Sequence, residues 1–188
     1  MKTTIVNTGN IELSGKVVIS DPCYDRSVWC MATDVVVKPG SYATYIFKKN
    51  EKEWGIRVAA IMAIHADYSG SLQNDWEPCD YSIGVDSGQC GIFDDAVYPA
   101  NESTGGEYGD EDSFYGECCK LTLSDEQGGI LKSRNGIVSS SGYGDGSYAL
   151  LCQYRDSERI ALMVDYDLTK NSTIMKEFTK SQRDLQAV

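Results

Sequence analysis

Short runs of alternating apolar residues constrain this chain more than any other feature of its sequence. A period of two places apolar side chains on one face of a strand, and short connections join antiparallel neighbours. The expected turns lie at Lys38-Pro39-Gly40, Ser69-Gly70-Ser71, Gly128-Gly129 and Arg134-Asn135-Gly136. The pattern predicts strands near residues 15–20, 34–48, 56–65, 136–141, 147–155 and 159–166. The chain should therefore be mainly β with some helix (α+β), an antiparallel β-sandwich or a strongly bent sheet.

Helix is expected in two places. Asp112 or Ser113 can cap a short helix over residues 112–121. A chain of 188 residues is long enough for one well-cored domain, which we place at residues 1–168. Residues 169–188 hold few apolar residues, so we expect a C-terminal tail that is a frayed helix or partly disordered.

Charge and composition exclude several functional classes. The net charge is −11, which argues against direct nucleic-acid binding because that needs a positive field. No apolar run is long enough to span a membrane and the first residues do not resemble a signal peptide, so a cytoplasmic protein is expected. The seven cysteines are odd in number, and with no export signal they should be reduced thiols.

The most acidic stretch is a possible attachment point for a basic partner. It runs from Glu102 to Glu117 and contains six acidic residues and no lysine or arginine. We expect an exposed loop whose charges stay unpaired within the chain, so that its field can steer a basic protein surface. The alternative is a solvated connection that only keeps the protein soluble.

Three glycine- and serine-rich loops are the main candidates for a site. The segment "GIVSSSGYGDGSY" at 136–148 precedes a strand, so it is not a dinucleotide-binding loop, which needs a following helix. Its Asp145-Gly146 step predicts a type I′ hairpin turn. The segment "IGVDSGQCGIF" at 83–93 repeats the order strand, glycine turn, strand, and "SDPCYD" at 20–25 is a third acidic loop after a strand.

If these loops converge, they form a polar ligand site. The candidate ligand-binding residues are Asp21, Cys23, Tyr24, Asp86, Ser87, Ser141, Tyr143 and Asp145. The carboxylates of Asp21, Asp86 and Asp145 would suit Ca²⁺ or Mg²⁺, or an acid/base pair, whereas exposed turn aspartates are the structural alternative. No cofactor is predicted: there is no C-x-x-C pair and one histidine, and neighbouring acids should leave the Cys23 thiol unreactive.

The segments "ISDPCY", "VDSGQCGIFDDAVY" and "GIVSSSGYGDGSYALL" together resemble an uncharacterised domain family of bacteria and of their phages and mobile elements. The resemblance covers residues 15–166; it implies a phage or mobile-element origin and supplies no catalytic residues. Two functions remain open. One is a non-enzymatic acidic binding protein that recognises a host protein or a small polar ligand, and the other is a metal-dependent hydrolase that uses the loop aspartates. Since no familiar nucleophile, base or phosphate loop is present, the sequence favours the binding protein.

Overall fold

The computed structural model describes residues 3–26, 28–73, 76–100, 105–166, 168 and 171–186. These residues form eleven strands and two α-helices, with 3₁₀ turns at Lys52–Trp54 and Ala66–Tyr68. The strands are β1 (Thr3–Leu13), β2 (Lys16–Ser20), β3 (Ala32–Val36), β4 (Gly40–Asn50), β5 (Ile56–His65), β6 (Glu77–Val85), β7 (Gln89–Asp94), β8 (Gly128–Ile130), β9 (Gly136–Ser140), β10 (Gly146–Arg155) and β11 (Glu158–Asp165). The helices are α1 (Phe114–Thr122) and α2 (Asn171–Gln186).

The strands form two antiparallel sheets that pack face to face. One has six strands in the order β1-β4-β5-β11-β10-β6, and the other has five in the order β3-β2-β7-β9-β8. The prediction of a mainly β, antiparallel sandwich with one short helix and a C-terminal helix is confirmed. In the described part of the chain, no helix combines the length and apolar composition needed to cross a bilayer.

Three apolar layers hold these elements together. The central layer lies between the sheets and includes Ile11, Val17 and Leu162, all fully buried. On the outer face of the six-stranded sheet, α2 contributes Ile174, Met175 and Phe178. A third layer covers the outer face of the five-stranded sheet, where α1 packs. Both faces of each sheet are therefore covered over part of their area.

This layering explains why β5 differs from a half-exposed strand. Residues 58–65 are all buried, although alternation predicted one buried and one exposed face. Ile61 faces the central layer, whereas Met62 faces the layer under α2. A strand in the middle of a sheet that is covered on both sides loses the polar half of its pattern.

Some strands were missed or misjudged from the sequence. β1 carries few apolar residues and was not predicted. The strand region expected at 34–48 is divided into β3 and β4 next to the expected Lys38-Pro39-Gly40 turn, and the two strands belong to different sheets, which was not predicted. Gly128-Gly129 is the start of β8, paired with β9, and not a turn. Helix α1 begins as expected, because the Ser113 hydroxyl oxygen accepts a hydrogen bond of 3.0 Å from the Gly116 amide.

The expectation of seven reduced thiols is wrong for one pair. Cys79 and Cys152 form a disulfide with Cα atoms 6.4 Å apart and a sequence separation of 73. They meet because β6 and β10 are neighbours in the six-stranded sheet, which residue spacing alone does not reveal. The free cysteines are Cys23, Cys30, Cys90, Cys118 and Cys119.

The acidic stretch pairs more of its charges than expected. Glu111 forms an ion pair with Lys120, and the Asp112 carboxylate lies 3.7 Å from the Lys132 ammonium. Both partners lie after the stretch in sequence, and the fold brings them back to it. Glu102 lies outside the described residues. The field of this segment is therefore weaker than its composition suggests.

Candidate functional site

Four connections lie together at one end of the sandwich. The end of β4 pairs with the start of β5 (Asn50 with Ile56), and the first half of β5 pairs with the end of β11 (Ala60 with Asp165). The end of β11 in turn pairs with the first part of β10 (Asp165 with Ala149), so the β4–β5 connection and the start of β10 lie at the same end of the sheet. β10 starts beside the end of β6, and the end of β2 pairs with the start of β7. We call this the loop end; it comprises the described residues of 21–31 (21–26 and 28–31, called loop 21–31) together with residues 51–55, 86–88 and 141–145.

The two glycine loops that echo each other in sequence both cross between the sheets. Residues 86–88 connect β6 of the six-stranded sheet to β7 of the five-stranded sheet, and residues 141–145 connect β9 to β10. The predicted hairpin at Asp145-Gly146 is therefore wrong, because β9 and β10 are not paired. The positive φ angles belong to Gly142 (54°) and Gly144 (113°), and Gly146 already begins β10.

The two crossings contact each other directly. The Ser141 amide donates a hydrogen bond of 3.0 Å to the Gly88 carbonyl. The Ser141 hydroxyl donates to the Gly144 carbonyl at 2.9 Å, which closes its own loop. Gly88 has a φ of 71°, a conformation that favours glycine. The fold thus brings two of the three predicted loops together through their backbones.

Asp21 joins the third predicted loop, loop 21–31, to turn 86–88. Its carboxylate is fully buried and accepts four hydrogen bonds. Oδ1 accepts from the Cys23 amide at 2.9 Å and the Ser87 hydroxyl at 2.6 Å. Oδ2 accepts from the Asp86 amide at 2.9 Å and the Ser87 amide at 2.6 Å. A carboxylate with this many donors is held by strong, charge-assisted bonds, so Asp21 fixes loop 21–31 against turn 86–88.

The three aspartates differ in their surroundings. Asp21 is buried, whereas Asp86 and Asp145 are exposed. Across the described residues, no group of three or more histidine, cysteine, aspartate or glutamate side chains is arranged to hold a metal ion. Because four protein donors already occupy both Asp21 oxygens, this carboxylate suits a structural role better than metal binding.

Cys23 and Tyr24 follow Asp21 in loop 21–31. Burial, followed by the negative charge of Asp21, raises the pKa of the Cys23 thiol from 9.0 to about 12. The thiol is therefore protonated at neutral pH and a poor nucleophile. Burial raises the pKa of Tyr24 as well, and hydrogen bonds with Asp86 and Cys30 add to the effect. Tyr24 therefore lies near the turn that carries Asp86.

Tyr115 is a member of this cluster that the sequence did not reveal. It extends from α1, and burial, followed by the neighbouring Cys119, raises its pKa from 10.0 to about 12. Ser87 therefore donates to the Asp21 carboxylate and lies near Tyr115 of the helix. No local signal separates Tyr115 from the neighbouring Phe114, because both lie on a short helix next to a sheet.

Tyr143 lies on the other side of the loop end, in a contact with Trp54. Its side chain is 55% exposed, and its hydroxyl donates a hydrogen bond of 2.7 Å to Glu51. The Tyr143 and Trp54 rings meet edge to face with centroids 6.1 Å apart. Trp54 is 65% exposed and the neighbouring Ile56 is 55% exposed. The sequence analysis missed Trp54, although a tryptophan in the polar segment "NEKEWG" is a usable signal of an exposed aromatic residue.

Trp29 is the most exposed large apolar side chain described, at 90%. It lies in loop 21–31, next to Cys30, whose carbonyl accepts a hydrogen bond of 2.7 Å from the Gly84 amide near the end of β6. A Cβ atom on Gly84 would lie 2.5 Å from the Cys30 sulfur, so the loop packs closely on this strand. Trp29 therefore extends from a well-anchored loop, and the sequence analysis also missed it.

Comparisons with known proteins found no relative of this chain. No protein-family model, no curated protein and no solved structure matches it. The resemblance to a bacterial and phage family stays a prediction. The geometry of the loop end therefore carries the functional proposal.

Proposed function

We propose that this chain is a non-catalytic binding protein and that the loop end is its recognition surface. The observation that carries the proposal is the combination of exposed Trp29, Trp54 and Tyr143 with loops that are bonded to one another. Asp21 joins loop 21–31 to turn 86–88, the Ser141 amide joins the next loop to Gly88, and the Tyr143 hydroxyl reaches Glu51. Tryptophan and tyrosine contribute large shares of the binding energy at protein interfaces. Loops that are already ordered lose less entropy when a partner binds.

The proposed partner is a host protein with a basic surface. The net charge of −11 favours a basic partner over nucleic acid and speeds its approach at low salt. The aromatic side chains belong to three separate connections, so a macromolecule suits them better than a small polar ligand. The proposed origin is a phage or mobile element and the proposed location is the cytoplasm. The Cys79–Cys152 disulfide argues against that location, because cytosolic reductants usually keep thiols reduced.

The hydrolase alternative has weaker support. It needs loop carboxylates that converge on a metal ion, whereas Asp21 is enclosed by four donors. The Cys23 thiol, with its pKa raised to about 12, does not supply a nucleophile in its place. The donor chemistry therefore favours a structural core beneath a binding surface.

The test compares capture of a partner by wild type and by surface variants. Trp29→Ser and Trp54→Ser should each weaken capture from a bacterial lysate by about tenfold or more, the usual effect of losing a central aromatic contact. Val36→Ser is the matched control, since Val36 is 63% exposed and lies on β3 opposite Lys16, at the other end of the sandwich. Circular dichroism should show the same fold for all three variants. Capture that is equally strong in all of them contradicts the proposal.

A further inference from the structure

The charges around the loop end are unevenly distributed. Between Arg57 and Lys120 the sequence contains 13 acidic residues and no lysine or arginine. Of this segment, the turn that carries Asp86 belongs to the loop end, whereas Asp67 and Glu77 lie toward the opposite end of the sandwich, beyond His65 of β5 and at the start of β6. The Trp54 side is different, because the Arg57 guanidinium donates to the Trp54 carbonyl at 3.0 Å and Lys52 lies two residues before Trp54 in sequence. On the Trp29 side, residues 21–31 and 86–88 contain three aspartates, and Arg26 is their one basic residue.

The Arg26 guanidinium forms four hydrogen bonds within the fold. Its guanidinium donates to the Asp95 carboxylate and carbonyl, both at 2.6 Å. Further bonds reach the Tyr98 carbonyl at 3.0 Å and the Pro99 carbonyl at 3.2 Å. Arg26 is therefore not a partner for Asp86. Among the ion pairs of the described residues, none includes Asp86.

Trp29 and Asp86 are held on one rigid unit. The Cys30 carbonyl, next to Trp29, accepts a hydrogen bond from the Gly84 amide, two residues before Asp86. Asp21 adds its bonds to the Asp86 and Ser87 amides. An indole that is 90% exposed therefore extends from the same unit as an exposed carboxylate that forms no ion pair with any described residue.

We infer that the Trp29 side of the loop end receives an arginine side chain of the partner protein, whose guanidinium stacks on the indole and pairs with the Asp86 carboxylate. This inference rests on the proposed binding function and names the chemistry of the partner. A planar guanidinium suits both contacts, because it stacks on aromatic rings and donates in a fork to a carboxylate. A lysine ammonium is more strongly hydrated and lacks the planar face. The Asp86 carboxylate and the net charge of −11 supply the attraction, and the exposed indole selects the planar cation.

The test uses a tetra-arginine peptide as the probe, with tetra-lysine as the chemical control. Titration of the ¹⁵N-labelled full chain should shift the Trp29 indole N–H signal, assigned from its loss in Trp29→Leu. Asp86→Asn should weaken tetra-arginine binding about fivefold, the scale of one exposed cation–π or ion-pair contact. Glu53→Gln is the matched control, because it removes one negative charge beside Trp54 and should change binding little.

Three results would overturn the inference: tetra-lysine binding as tightly as tetra-arginine, equal effects of Asp86→Asn and Glu53→Gln, or a shift confined to the Trp54 signal. The proposed function fails in a different way. If the Trp29 and Trp54 variants lose partner capture while tetra-arginine leaves the Trp29 signal unchanged, only the arginine site is wrong. If tetra-arginine binds at Trp29 while partner capture does not depend on either tryptophan, the binding function at this surface is wrong.

Discussion

Replacing Asp21 by asparagine should destabilise the protein strongly, although the two side chains have nearly the same shape. The carboxylate accepts from two donors at each oxygen. An amide has one oxygen, and its best orientation keeps that oxygen on the Asp86 and Ser87 amides. The NH₂ group then faces the Cys23 amide, donor against donor, while the Ser87 hydroxyl can rotate and accept. The variant loses one bond to a charged group and leaves a buried donor unpaired.

From these two losses we expect a decrease of about 3–5 kcal/mol in the free energy of unfolding. The measurement is urea unfolding at neutral pH without reductant, followed by tryptophan fluorescence and circular dichroism. Asp145→Asn is the matched control, because Asp145 is exposed and the change should stay within about 0.5 kcal/mol. A loss below about 1 kcal/mol in Asp21→Asn, or equal to that of the control, would refute the structural role of the carboxylate.

A second variant keeps this test informative if Asp21→Asn does not fold, which is possible because small domains have only about 5–15 kcal/mol of stability. Ser87→Ala removes the 2.6 Å hydroxyl bond to Asp21 and keeps both backbone bonds. It should lower the free energy of unfolding by about 1.5–3 kcal/mol. An effect no larger than that of Asp145→Asn would contradict the same reasoning.

Three further outcomes follow from the fold. Reducing the Cys79–Cys152 disulfide should lower the free energy of unfolding by about 4 kcal/mol, from the loop-entropy relation for a sequence separation of 73. Melting curves with and without dithiothreitol measure this loss, and identical curves would show that the disulfide does not form. Stability should fall as pH rises from about 9 toward 12, because folding raises the pKa of Cys23 and Tyr115 to about 12 and so favours their protonated forms. Their contribution to the free energy of unfolding is complete below about pH 9. Urea midpoints that are equal at about pH 8 and 10.5 would contradict this prediction. Phe178→Ala should cost about 3–5 kcal/mol, since this side chain is 2% exposed, and a loss under about 1 kcal/mol would mean that α2 does not stabilise the sheet.

Much of the secondary structure could be predicted because its causes are local. The alternation around Ile56 to His65 and Ile160 to Val164 identified strands, since a period of two is a property of neighbouring residues. Ser113 marked the start of α1 because its cap bond reaches only three residues ahead. β1 escaped prediction because it has few apolar residues, and its pairing with β4 decides its conformation.

The sequence also indicated where the candidate site would be, since three acidic loops follow strands, but the role of each residue depends on distant groups. Asp21 is a buried clamp because the two sheets place turn 86–88 beside it, 65 residues away in sequence. Asp86 and Asp145 occupy similar glycine loops yet are exposed. Local patterns determined that these segments are turns. Only tertiary packing decided which carboxylate is enclosed and which aromatic side chains remain in solvent, because burial depends on strand pairing between residues far apart in the chain.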